Sequence, residues 1–260
     1  MSGQSSSGAG AEAETVELSA GDPAREELVT GEVVLKIHDQ PVAFTITLPS
    51  GPSTTADILP ILHGFGDFFA ARGITAVERD GPALSCRAGC GACCRQMVPI
   101  ARTEAVALAE LVDAMPEPRR SMIRARFDAA LAAVEAAGLL DSLRTGGSAS
   151  LEQRGLAYFR LGIACPFLED EACSIYPDRP LACREYLVTS PARNCASPTR
   201  ENITMVPIEG HPSRALLKVE LEHGWMALIL ALRVAAQSPP AAPHHCGPDI
   251  LRSFIDALRD

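Results

Sequence analysis

The chain has 260 residues, of which 47% are hydrophobic and 21% charged, and its 23 Lys+Arg against 32 Asp+Glu leave a net charge of −9. That length accommodates one or two domains, while the acidic balance excludes a protein held to nucleic acid by a basic footprint. Eight Phe, three Tyr and one Trp are too few for a base-stacking platform, and nine cysteines are the unusual count.

Residues 1–30 open with MSGQSSSGAGAEAETVELSAGD, a stretch of Gly, Ser, Ala and Glu without a basic n-region or an apolar h-region. It reads as a disordered tail and not as a secretory signal. The most apolar later run, Trp225 to Ala236, contains Arg233 and falls short of the roughly 20 residues that a membrane span needs. The expectation is a cytoplasmic protein without membrane or nucleic-acid partners. In that reducing compartment clustered thiols point to metal or redox chemistry before disulfides.

Glu32–His38 and Val42–Leu48 are β-prone runs separated by Asp39-Gln40-Pro41, which predicts a hairpin. Ser53–Thr55 offers a cap for a helix reaching about Ala71, with Pro60, Gly64 and Gly66 expected to disturb it. A helix starting at Thr103 buries Leu108, Leu111, Val112 and Met115. After Pro116 and Pro118 a longer one reaches Ala137, burying Ile123, Phe127, Leu131 and Val134. Ser142 to Ser150 reads as a linker and Leu151–Leu161 as a short helix. Residues 213–237 look mainly helical with Ser213 as N-cap, and Asp249–Leu258 forms a terminal amphipathic helix. The predicted fold is mainly α with small β hairpins: a compact cysteine-cluster core with a helical insert between two cysteine groups. Its segments are a tail (1–30), a hairpin plus helix (31–80), the cysteine-cluster domain (81–200) and a C-terminal helical segment (201–260).

The first cysteine group comprises Cys86, Cys90, Cys93 and Cys94, and the second Cys165, Cys173, Cys183 and Cys195. Thiolates suit soft metals, and two Cys separated by two residues can turn both sulfurs toward one ion. Gly89 and Gly91 permit the tight turn around Cys90, and Arg87, Arg95 and Arg184 adjoin the thiols, where positive charge favours thiolate. The competing structural reading is a buried helical stripe, because Cys86, Cys90, Cys93 and Cys94 fall at i, i+4, i+7 and i+8. Two glycines inside the stretch oppose it, each costing a helix about 1 kcal/mol, and the second group has no helical period.

Cys-x3-Cys-x2-Cys-Cys followed by Cys165-Pro-Phe-Leu, Cys173-Ser-Ile-Tyr-Pro-Asp-Arg-Pro-Leu-Ala-Cys183-Arg and Cys195 resembles the YkgJ-type cysteine-cluster family. The resemblance covers Cys86 to Cys195 and implies a zinc- or iron-chelating domain with these eight cysteines as metal ligands. Cys-x3-Cys-x2-Cys is also a radical-SAM spacing. Those enzymes, however, carry an aromatic before the third Cys, where this chain has Ala92, and the alternating strand–helix series of their barrel is missing. The cofactor expected is an Fe–S cluster, [4Fe–4S] first, or Zn2+, in one centre or two. Adjacent Cys93 and Cys94 diverge, so they serve two centres or only one of them ligates.

Tyr176, Arg179 and Arg184 are candidates for shaping the site or binding a cofactor. Their bland alternatives are core filling by Tyr176 and a structural salt bridge by Arg179. Glu169-Asp170-Glu171 reads as a polar hairpin tip, and His244-His245-Cys246 as a loop cluster outside the resemblance. No catalytic apparatus is evident. The leading functional expectation is a metalloprotein acting through metal handling or a protein partner. The alternative is an Fe–S enzyme performing electron transfer, or group transfer resembling that of flagellin lysine methylases.

Overall fold

The computed structural model describes residues 14–37, 39–87, 89–144, 150–237, 242–243 and 245–259. Residues 1–13 of the expected tail and residues 145–149 of the expected linker lie outside them, as does His244. Among the described residues there are eight α-helices and a few small sheets.

The chain becomes a strand sooner than its composition suggests. Residues Glu14–Ser19, expected to continue the tail, form β1 because Val16 and Leu18, two apart, pack together against the core. The predicted hairpin follows as β2 (Leu28–Ile37) and β3 (Gln40–Pro49). Its turn is shorter than expected, closing on the pair Ile37↔Gln40 with Asp39 at φ 62. Strand β3 is central, antiparallel to β2 and parallel to β1. Among the described residues β1 pairs with β3 from Glu14↔Val42 onward, so Pro41 is paired there only with Lys36 of β2. After β4 (Pro52–Ser53), the Thr54 N–H donates to the Asp57 carboxylate (2.6 Å) and a short 3-10 turn leads into helix α1 (Leu59–Arg79).

This helix runs past Ala71 to Arg79, and its three suspected breakers have other roles. Pro60 sits in the first turn, where its missing N–H is harmless. Gly64 and Gly66 are close-approach points: a Cβ on Gly66 would stand 2.7 Å from Leu181 Cδ2. The two glycines let Leu18 and Leu181 nest against the helix.

Strand β5 (Pro99–Ile100) leads into helices α2 (Arg102–Asp113), α3 (Arg119–Ala136) and α4 (Leu151–Phe159), which constitute the insert. Leu108, Val112, Met115, Ile123, Phe127 and Val134 are buried as their periodicity predicts, while Leu111 and Leu131 are half-buried. Ser150 caps α4 by accepting from Gln153 N (3.2 Å), and Gln153 Oε1 accepts from Ser150 N (2.9 Å). Strands β6 (Leu168–Glu169) and β7 (Ala172–Cys173) make the hairpin whose tip, Asp170-Glu171, has φ 48 and φ 58. Both central residues being left-handed matches the twist of a two-residue hairpin.

Helix α5 (Leu181–Glu185) carries Cys183. The segment 213–237 is not one helix. It divides into α6 (Pro212–Val219), β8 (Met226–Ala227), which pairs with β5, and α7 (Ala231–Gln237). The division falls at Gly224, whose φ of 64 stops a helix. The N-cap of α6 is His211, while Ser213 instead donates its N–H and hydroxyl to Glu185 at 2.6 and 2.7 Å. Strand β9 (His245–Cys246) pairs with β4, and α8 (Gly247–Arg259) closes the chain.

Two hydrophobic cores result. The first joins the three-stranded sheet to α1, α6 and α8 around Phe44, Phe65 and Phe254. The second joins α2, α3 and α7 to Phe167, Ile175 and Leu228–Leu230. The cysteine-bearing loops run between these cores. Phe65 is fully buried and touches the rings of Phe44, Phe69 and Phe254. We predict that Phe65→Ala lowers stability by about 3–5 kcal/mol in urea denaturation, whereas Phe→Leu at the same site costs less than half of that.

Candidate metal centre

All eight cysteines of the two groups line one cavity of about 460 Å³. The Cys86–Cys94 stretch is not a helix: only Ala92–Arg95 makes a 3-10 turn, so the four thiols reach the cavity from a loop. Gly89, at φ 79, and Gly91 shape that loop. A Cβ on Gly91 would stand 2.9 Å from the Glu171 carbonyl oxygen, so the bare glycine lets the β6–β7 hairpin dock against the first cysteine group. Two further contacts fasten them. Cys165 N donates to Cys94 O at 2.6 Å, and Arg95 forks onto the Glu171 carboxylate at 2.6 and 3.0 Å.

On the other side, Ser85 N donates to Val188 O (2.9 Å) and Val188 N to the Cys86 sulfur (3.4 Å). The turn Ala92–Arg95 packs on the turn Ala192–Ala196, which holds Cys195. The 70-residue separation of the groups in sequence (Cys94 to Cys165) is thereby closed in space. Cys246 and His245 do not line the cavity; the Cys246 sulfur lies 3.0 Å from Asp249 Oδ2.

The electrostatics of the cavity oppose free thiolates. Burial pushes the thiols of Cys86, Cys173, Cys183 and Cys195 up and that of Cys165 to about 12. Cys93 is held protonated by its hydrogen bond with Cys94 and then by burial. Without a cation these six groups are neutral thiols. A metal inverts that logic, because a coordinating thiol is deprotonated outright. The donor set fits a thiophilic metal: eight sulfurs face one space, with Asp67 as the single carboxylate in the lining. Among the described residues, however, no three His, Cys, Asp or Glu side chains already converge on the position of one ion.

The suspected helper residues divide. Tyr176 and Arg179 line the cavity, with the Arg179 guanidinium 3.9 Å from the Tyr176 ring centroid and its Nε buried without a hydrogen-bond partner among the described residues. Arg184 does not line it. It is 4% exposed, pairs with Asp67 at 2.6 and 2.7 Å, and donates to the carbonyls of Arg179 (2.9 Å) and Pro177. It therefore braces the 177–184 segment against α1. Asp67, Gln96 and Tyr186 also face the cavity, and the Tyr186 hydroxyl accepts from Gln96 Nε2 at 2.9 Å. Asp67 carries no sequence signal, standing nineteen residues before the first cysteine, whereas Gln96 and Tyr186 stand two and three residues after Cys94 and Cys183 and could have been found by that adjacency.

Behind α5 lies a buried carboxylate. Glu104 accepts from Ala101 N (3.0 Å) and from Leu181 N (2.8 Å), joining the starts of α2 and α5. Burial raises its pKa to about 7 despite these two hydrogen bonds.

Residues 85–203 match the family model CxxCxxCC, described as "Putative zinc- or iron-chelating domain". The segment holding all eight cavity cysteines is thus of the cysteine-cluster family that its motif resembles. No curated protein and no solved structure matches the chain.

Glu104 yields a signed pH prediction. A carboxyl group whose folded pKa is raised from 4.5 to about 7 binds its proton more tightly when folded. The stability of the chelator-treated protein therefore falls as pH rises from 4.5 to 7, by up to about 3 kcal/mol from this group. Glu104→Gln removes the charge, and urea titrations across that range are expected to show a flatter profile for the variant than for the parent.

Proposed function

We propose that this chain is a metalloprotein that holds an Fe–S cluster, [4Fe–4S] first among the types, through cysteine thiolates in the cavity between its two cores. The observation that carries this reading is the common cavity of about 460 Å³ lined by all eight thiols; among the described residues no three of them converge on a single ion. A closed four-thiolate zinc site puts each sulfur about 2.3 Å from one ion and leaves almost no enclosed space. A polynuclear centre fills space and takes its ligands from several directions. When bound, such a centre supplies one-electron chemistry.

The chain's own residues supply the setting. Phe167, Ile175 and Leu228 give the cavity an apolar wall. Arg179 places a positive charge near Cys86, Cys93 and Cys173, where it favours the thiolate form. Arg184 and Asp67 hold the Cys183 helix in place. The cytoplasm, which keeps thiols reduced, suits this chemistry. The role we favour is metal handling or partner binding with a saturated centre. The Arg179 Nε–H beside Tyr176, without a hydrogen-bond partner among the described residues, favours one second reading, an enzyme whose centre accepts a small carboxylate-bearing cofactor. S-adenosylmethionine at micromolar concentration would then change the EPR spectrum of the reduced protein.

Protein purified without oxygen after growth with ample iron is expected to be brown and to contain iron with acid-labile sulfide. Stoichiometric zinc without sulfide would reject the Fe–S reading. Cys90→Ser and Cys183→Ser are each expected to lose metal and stability, and Cys246→Ser to leave both unchanged. Because burial holds the protons on Cys86, Cys165, Cys173, Cys183 and Cys195 until a cation displaces them, metal uptake in weakly buffered solution should release protons, and acid should release the metal.

A further inference from the structure

On the side away from β1, the three-stranded sheet ends in the ten-residue strand β2, which among the described residues pairs only with β3. The opposite edge, β1, is six residues long, and α1 supplies Arg72 to its Glu14 at 3.0 Å. A long edge strand is a template for another strand, so the direction in which each β2 residue bonds decides what the edge offers. The Glu27 carbonyl accepts from Ser50 N at 2.9 Å, continuing the register beyond Leu28↔Pro49 with a bonded pair. On β3 the Thr47 carbonyl turns toward the β1 side and accepts from Ala20 N (2.9 Å), so Thr30↔Thr47 is a non-bonded pair. Bonding alternates along an antiparallel ladder. Gly31, Val33, Leu35 and Ile37 therefore direct their N–H and C=O to β3, while Glu32, Val34 and Lys36 direct theirs outward from the edge.

The side chains alternate in the same step. Leu35 and Ile37 are buried in the first core. Thr30, Glu32, Val34 and Lys36 are exposed on the other face, where the Thr30 and Thr47 hydroxyls share a hydrogen bond of 2.8 Å. Val34, 52% exposed, is flanked two residues away on either side by Glu32 and Lys36, which carry opposite charges.

We propose that β2 is the docking edge for a second copy of this chain, the two strands running antiparallel with Val34 opposite Val34. Each Glu32 then faces the Lys36 of the other copy, and two three-stranded sheets become one sheet of six strands. The register engages the outward backbone groups: the two Val34 residues exchange both their bonds, and so does each Glu32 with the facing Lys36. Centring the pair on Glu32 or on Lys36 would set like charges opposite each other, and centring it on Val33 or Leu35 would leave a charge opposite Val34. Charges on an edge strand ordinarily discourage pairing, but an antiparallel copy of β2 satisfies both signs at once. Lys36 meets Asp39 at 2.7 Å in the single chain, yet that pair is 73% and 88% exposed and contributes little against a cross-strand carboxylate. No residue of β2 lines the thiol cavity, so this association stands or falls separately from the metal reading.

Sedimentation equilibrium of the full chain from about 1 µM to about 1 mM is expected to show a monomer–dimer equilibrium that added salt weakens. Hydrogen exchange locates the contact and needs no variant. The amides of Glu32, Val34 and Lys36 should slow as concentration rises, while those of Val33 and Leu35, already bonded to β3, should be slow throughout. Glu32→Lys and Lys36→Glu should each weaken the dimer about tenfold or more, because two sites per dimer pass from attraction to repulsion. The double variant should return to within about threefold of the parent. Circular dichroism checks that these exposed substitutions leave the fold intact. A monomer throughout the concentration range would overturn the proposal. So would a dimer whose Glu32, Val34 and Lys36 amides exchange as in dilute protein, single variants that associate like the parent, or a double variant as weak as the single ones.

Discussion

Everything in this molecule is arranged around a group of sulfurs removed from water. A thiol buried among apolar side chains holds its proton, and burial raises the ionisation of Cys165 to about 12. The same burial means that a thiophilic cation, once admitted, meets ligands with few competitors. The elements nearest the cavity are short turns, two-residue strands and a five-residue helix. None could persist alone. They are held by the two cores on either side and by a few strong polar ties, of which Arg184 with Asp67 and Arg95 with Glu171 are the clearest. The cores supply the rigidity and the loops supply the ligands.

The same division explains which parts of the fold could be read from sequence. Helices α2 and α3 were legible because each has a periodic face and a stop signal, such as Gly138 after α3 with its φ of 68, and α8 because its face is amphipathic. The cysteine groups were legible because glycines inside the first group and the lack of a helical period in the second favour metal chemistry over a buried stripe, and residues 85–203 match the family model described as "Putative zinc- or iron-chelating domain". Strand β1 was hidden because its composition is that of a polar tail, and its pairing partner lies almost thirty residues downstream. The break between α6 and α7 was hidden for a related reason. The short strand β8 exists to pair with β5, which is more than a hundred residues earlier in the chain. Local pattern cannot report a partner that distant.

The site shows a similar limit. Tyr176 and Arg179 were visible through their position between cysteines, and both face the cavity. Arg184 looked equivalent by adjacency, yet one residue of helical rotation from Cys183 turns it away toward Asp67. Asp67 itself becomes a neighbour of the thiols only when the chain folds, whereas Gln96 and Tyr186 lie two and three residues beyond Cys94 and Cys183 and were open to the same adjacency argument.

The spacing of the cysteines along the chain also sets an order of assembly. Cys165, Cys173 and Cys183 lie eight and ten residues apart, whereas Cys90 and Cys195 are separated by 105. Loop-closure entropy grows with the logarithm of length, so joining the distant pair costs about 2 kcal/mol more than joining the near ones. During synthesis at about 5–20 residues per second, the first four thiols leave the ribosome several seconds before any partner in the second group exists. For that interval they are a loose, solvent-exposed quartet open to oxidation or to scavenging by the wrong metal. A chain with this layout gains from a partner that shields Cys86–Cys94 until residue 195 has emerged, and is most vulnerable to oxidants while nascent.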